Sequence, residues 1–375
     1  MFVGRDLSIL AYDSGRATVS RRPLCCRTGA VLWTVDPTEE PPIETTADDT
    51  VTTPARRERL VWMDGFRGIA IVLIIVLHGT AMLESIGLAI PESVDLFNTV
   101  ASPFRIPLLM TLSGMLLGGS LSKGVGRYLT GKLRAIAWPY LLWLCILLLV
   151  FPDLGIETVI RGLWAPNTYL WYLHTLLIAY LAALALRRVP TWISAVVALL
   201  LAAVASLVSL PATLEMMSVD RVLLMLGYFF AGHLLAQHLQ TALRWMRSPW
   251  GIAIGLLGTA VVVALSVQGS FAVPSNELLA PPLMASLALG IALLSQLPWN
   301  GPLSHALRWV GRHSIVYYVT HWILLYWTLQ LTADPVMAWG VGWLLAAMIT
   351  GALLAATLLA WLVHLRTPVR WLFRV

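Results

Sequence analysis

The chain has little charge. Asp, Glu, Lys and Arg together make up 12% of its 375 residues, about half the share of an ordinary soluble domain. Its three cysteines are the adjacent Cys25 and Cys26 and an isolated Cys145 inside an apolar run, a pattern with neither metal-ligand spacing nor a disulfide framework. There is no His-Glu-x-x-His pair, no phosphate-binding glycine loop and no dinucleotide fingerprint. The interior histidines His78, His174, His233 and His321 come from separate runs, so no metal site is expected. No carboxylate lies deep in an apolar run, which argues against a serine-centred triad. The first long apolar run begins near Ile69, too far along for a cleavable signal peptide.

What the chain has instead is apolar residues: 58% of the total, with a mean hydropathy of +0.79. A soluble domain of this length cannot hide so much apolar surface. The composition therefore excludes a soluble enzyme and predicts an all-α, polytopic helical bundle in a lipid bilayer. The net charge of +6 is not a nucleic-acid signal, because its distribution follows membrane topology.

Residues 1–60 hold 8 Lys/Arg and 9 Asp/Glu. The stretch 36–59 is rich in Pro, Thr and acid, a composition that cannot repay the entropy of ordering. It reads as a disordered cytoplasmic tail, followed by a membrane domain over 61–375. A spanning helix needs about 20 mostly apolar residues. Ten runs qualify, at 67–85, 96–118, 135–151, 168–186, 190–209, 220–239, 250–268, 278–297, 312–330 and 336–362. With the N-terminus inside, the inner segments after residue 50 carry 16 Lys/Arg, while the outer loops carry only Arg161 and Arg221. All nine acids beyond Asp64 fall outside. That asymmetry supports ten helices with both termini cytoplasmic. No internal repeat is evident.

An ionisable residue within the membrane is costly and marks a functional candidate. Arg67 and His78 in the first run are 11 residues apart, about three helical turns, so they share a face roughly 16 Å apart along the axis. Asp64 lies about one turn before Arg67 on nearly the same stripe. An imidazole exchanges a proton near neutral pH and suits a general base. An interfacial anchor and an interhelical hydrogen bond would also account for the pair. Arg105 sits well inside the second run, too deep to snorkel, and should face a polar cavity or an anion. Ser113-Gly114 follows, a pair suited to close helix packing. In the ninth run Ser314, Tyr318 and His321 recur on one face. His174 and His233 are lone histidines among aromatics. The 17 Trp fall mostly at helix ends and read as an aromatic belt.

These motifs resemble the acyltransferase-3 family of integral-membrane O-acyltransferases. RLVWMDGFRGIAIVLIIVLH is similar to the family's opening helix, with its Arg, ten residues, then His, here Arg67 and His78. FRIPLLMTLSGMLL, KLRAIAWPYLLW, LWYLHTLLIAYL and GRHSIVYYVTHW resemble its later segments in order, over about residues 59–330. The Phe-Phe pair common before Ser-Gly is replaced here by other apolar residues, and Met115 follows Gly114.

The resemblance implies a cytoplasmic acyl-CoA donor, usually acetyl-CoA, and an acceptor hydroxyl on a cell-envelope glycan, glycolipid or related molecule. His78 would be general base or transient acyl carrier. Arg67 would hold CoA or orient the site, Arg105 would polarise the thioester or stabilise an oxyanion, and His321 would be a second catalytic group. Lys123, Arg127, Lys132 and Arg134 would take CoA phosphates, or serve topology alone. Asp64, Ser113, Tyr318 and His174 are candidate substrate contacts. A bacterial cytoplasmic membrane is the expected location. The competing reading is a transporter or flippase of a glycan or organic anion.

Overall fold

The computed structural model describes residues 60–165, 168–268, 280–365 and 367–373. The expected tail, apart from Leu60, lies outside the described residues, as do Arg366, Arg374 and Glu277. Among the described residues every regular element is helical. Five helices are long and apolar enough to cross a membrane: α1 (Val61–Ser85), the continuous helix Val125–Val150, α10 (Val219–Gln237), α12 (Pro249–Val267) and α16 (Val341–His364). Three shorter apolar helices are α7 (Trp171–Ala185), α8 (Thr191–Leu207) and α13 (Ala280–Leu294). Two further 24-residue helices, α2 (Glu92–Met115) and α15 (Ser314–Met337), carry the interior Arg105 and His321. Each of the ten apolar runs thus contains a helix.

Short helices fill the gaps. They are α3 (Leu117–Leu121), α6 (Gly155–Gly162), α9 (Ala212–Met216), α11 (Leu239–Met246) and α14 (Pro302–Arg312). The helix Val125–Val150 is interrupted. Its parts α4 (Val125–Lys132) and α5 (Trp138–Val150) are joined by one π turn, Leu133–Ala137. The cause is Pro139. With no N–H it cannot bond back to residue 135, and the chain widens so that the Trp138 N–H reaches the Leu133 carbonyl. Lys132, Ala135 and Ile136 on this segment line a cavity.

Around α1 pack α2, α14 and α15, while α10 packs between α8 and α2. Two of these crossings are made by glycine pairs. A Cβ on Gly114 would meet the Phe229 carbonyl oxygen, and one on Gly232 the Thr111 carbonyl oxygen, so α2 and α10 touch backbone to backbone. Likewise, a Cβ on Gly68 would strike the Leu307 carbonyl and one on Gly311 the Asp64 carbonyl, which fixes α14 against α1. Such close approach drives helix association where lipid offers no hydrophobic contrast. Gly114→Val should therefore destabilise the fold by about 1–3 kcal/mol or more through overpacking. The check is the detergent melting temperature: a value equal to wild type would contradict this crossing.

Candidate active site

The interior face of α1 presents Arg67, Ile71, Ile74 and His78 at intervals of about one turn. The first two line one cavity, and the last two line another. The first cavity, of about 380 Å³, is basic. Arg67, Lys123, Arg127 and Lys132 line it together with Tyr128 and Tyr180. Lys123 and Arg127 are exposed at its mouth, whereas Arg67 and Lys132 are half-buried. The Lys132 ammonium lies 3.5 Å from the Tyr180 ring centroid and donates to Ser120 Oγ at 3.2 Å, a cation–π seat that holds the charge without neutralising it. No Asp or Glu appears among the described lining residues.

The second cavity, of about 260 Å³, holds His78, Arg105, Arg221, Trp171 and Ser102. Its described lining also has no carboxylate. Arg105 is 1% exposed. One of its nitrogens, Nη2, donates to Asn98 Oδ1 at 2.6 Å, and Asn98 Nδ2 donates in turn to Thr80 Oγ1 at 2.9 Å. Its Nε and Nη1 are buried without a partner among the described residues. Buried donors of a charged group are costly to leave unpaired, so two of them beside a histidine point to an incoming acceptor.

Behind His78 lies His321, its ring stacked on His78 with centroids 5.0 Å apart and an interplanar angle of 29°. His321 Nδ1 lies 2.5 Å from the Tyr318 carbonyl oxygen. A carbonyl only accepts, so Nδ1 carries the proton and Nε2 is the basic nitrogen. Trp322 meets His78 edge-on at 5.4 Å, and Tyr169 meets His321 edge-on at 5.2 Å. His78 is thus held by rings on α15 rather than by a carboxylate.

Tyr318 lines both cavities. Its hydroxyl donates to the Tyr169 carbonyl at 2.6 Å and lies 3.3 Å from the Tyr172 amide nitrogen, which donates to it. Tyr172 in turn shares a 3.3 Å hydrogen bond with Ser113 Oγ. The Ser113 carbonyl accepts from the Tyr180 hydroxyl at 3.3 Å. A hydrogen-bonded series of tyrosines therefore runs from the basic cavity to the histidine cavity.

The structure brings together Arg67, Lys123, Arg127, Lys132, Ser113 and Tyr318 around the first cavity, and His78, Arg105 and Tyr318 around the second, with His321 against His78. Besides His321, which touches His78 from outside the lining, three expected residues lie apart from both linings. Arg134 is exposed. Asp64 is buried in the first turn of α1, at the α14 crossing. His174 is buried with its ring 5.9 Å from Tyr140. The sequence reading missed Asn98, Tyr172, Tyr180, Arg221 and Trp171. Asn98 had a usable signal, seven residues before Arg105 on the same helical face.

A helical, membrane-type bundle with a cationic cavity joined by a polar path to a buried Arg–His site is the framework of a membrane group-transfer protein. The chain belongs to acyltransferase family 3: that family's acyltransferase domain matches residues 60–372. Comparison with curated proteins and with solved structures gives no match.

Proposed function

We propose that this membrane acyltransferase transfers acetyl from cytoplasmic acetyl-CoA to a hydroxyl of a cell-envelope glycan or glycolipid. It does so from a ten-span bundle in a bacterial cytoplasmic membrane, with both termini inside. The observation that carries the reading is the shared Tyr318 wall. Four cations line one cavity and the His78–Arg105 pair the adjoining one, with Arg67 and His78 on one stripe of α1. The residues of the basic cavity fit a CoA donor. Arg67 and Lys132 would take its phosphates bidentately and as a point charge, with Lys123 and Arg127 at the mouth. Roughly 16 Å of helix separates Arg67 from His78, a span that an extended pantetheine arm covers.

At the far end, His78 accepts the proton of the acceptor hydroxyl as its oxygen forms the new bond to the acetyl carbonyl carbon. Arg105, through Nε and Nη1, holds the negative charge that develops on the carbonyl oxygen. The carbon–sulfur bond then breaks, and His78 returns its proton to the departing thiolate. Transient acetylation of His78 itself is the variant of this scheme. His321 positions His78 through the ring stack.

The test uses purified protein in nanodiscs, acetyl-CoA labelled in the acetyl group, and an envelope glycan extract. Label entering the glycan fraction with matching release of free thiol is the expected result. Folded protein that neither binds nor consumes acetyl-CoA would move a transporter of a glycan or organic anion to first place.

A further inference from the structure

The histidine cavity holds more positive charge than the transfer step uses. Beside Arg105, the third residue of α10, Arg221, also lines it. The Arg221 guanidinium carbon lies 5.2 Å from the Trp171 ring centroid, and Nε is buried without a partner among the described residues. Neighbouring Asp220 attracts the half-buried Arg221 guanidinium from outside the lining, so it leaves the cavity wall itself without an anion. Two guanidinium groups in about 260 Å³ with no lining carboxylate carry a large desolvation cost unless an anion joins them. The oxyanion of the transition state answers one of them. An acetyl thioester is neutral, and the phosphates of its carrier have their own cations in the basic cavity, roughly 16 Å along α1. Topology does not account for the second charge either: Arg221 is one of only two cations on the outer loops of the ten-span arrangement.

We infer that Arg221 is an acceptor-recognition residue and that the acceptor carries an anionic group, a carboxylate or phosphate, near the hydroxyl that His78 deprotonates. The inference rests on the acyl transfer proposed above. Trp171 holds the guanidinium plane toward the cavity, where its fork meets two oxygens of such a group. A neutral sugar lacking that group leaves the cavity lined by two guanidinium groups and no anion until the transition state.

The experiment uses membranes holding the full chain, acetyl-labelled acetyl-CoA and the total envelope fraction of cells that carry the protein. The labelled product is resolved by anion exchange, directly, after phosphatase and after carboxyl methylation. Retention as an anion is expected, and the treatment that abolishes retention tells phosphate from carboxylate. In Arg221→Gln the acceptor KM should rise by about tenfold to a hundredfold, the loss of one charge-assisted contact. The acetyl-CoA dissociation constant should stay at the wild-type value, which also certifies folding. Arg221→Lys should fall between the two. A labelled product that is neutral, or an Arg221→Gln enzyme with an unchanged acceptor KM, overturns the inference. No labelled product at all overturns the acyl-transfer reading beneath it.

Discussion

Replacing His78 with alanine lowers kcat for acyl transfer by about 10²–10⁴-fold, the usual worth of a positioned general base. Acetyl-CoA affinity stays near wild type, because Arg67 and Lys132, the proposed seat of the donor's phosphates, line the other cavity. The physical reason for the large effect is that nothing nearby replaces the imidazole. The cavity lining has no carboxylate among the described residues. His321 packs against His78 at 5.0 Å rather than lining the cavity. His321→Ala should therefore cost less, loosening the ring that orients His78. The measurement is single-turnover thiol release, with acetyl-CoA binding as the folding control. A quench of the wild-type reaction then separates the two chemical roles: label retained on the protein marks an acyl carrier, and label found only in product marks a general base. A His78→Ala protein with wild-type turnover sinks both.

The second large effect belongs to the donor end. Arg67→Gln should weaken acetyl-CoA binding by about 10- to 100-fold, since a hydrogen bond to a charged group is worth about 1.5–3 kcal/mol. Lys132→Gln should act in the same direction, because the Tyr180 ring holds its ammonium at the cavity wall without cancelling its charge. Arg134→Gln, at an exposed position outside the lining, should bind the donor as the wild type does. Wild-type affinity should fall as salt rises, because the mouth charges Lys123 and Arg127 are exposed and screened. Isothermal titration across this series decides the matter: equal losses at Arg67 and Arg134 would contradict a defined site and leave only a diffuse basic surface.

The helices and the stripe were legible because they follow from local periodicity. An apolar run long enough to cross a bilayer has to satisfy its backbone internally, and ten such runs became helices. Arg67 and His78 share a face for the same reason, an 11-residue spacing on a 3.6-residue turn. The second basic segment after the tail was legible as charge. Which of its members line a cavity was not: Lys132 faces a space walled by residues of several other helices, while Arg134 is exposed. Asp64 and His174 illustrate the converse. Each is a polar residue at a suggestive position, yet the fold sets Asp64 at a helix crossing and His174 beside Tyr140.

By itself, then, the sequence determined an all-helical membrane chain, its family and the Arg67–His78 axis, since these depend on composition and on spacing within single helices. The tertiary structure alone decided that His321 stacks on His78, that Tyr318 divides two cavities, and that Arg221 joins the second of them. Those partners lie far apart in the chain or on different helices. Arg221 on α10 reaches the cavity of Arg105 on α2 where glycines let those two helices touch backbone to backbone, an approach that no run read singly can reveal.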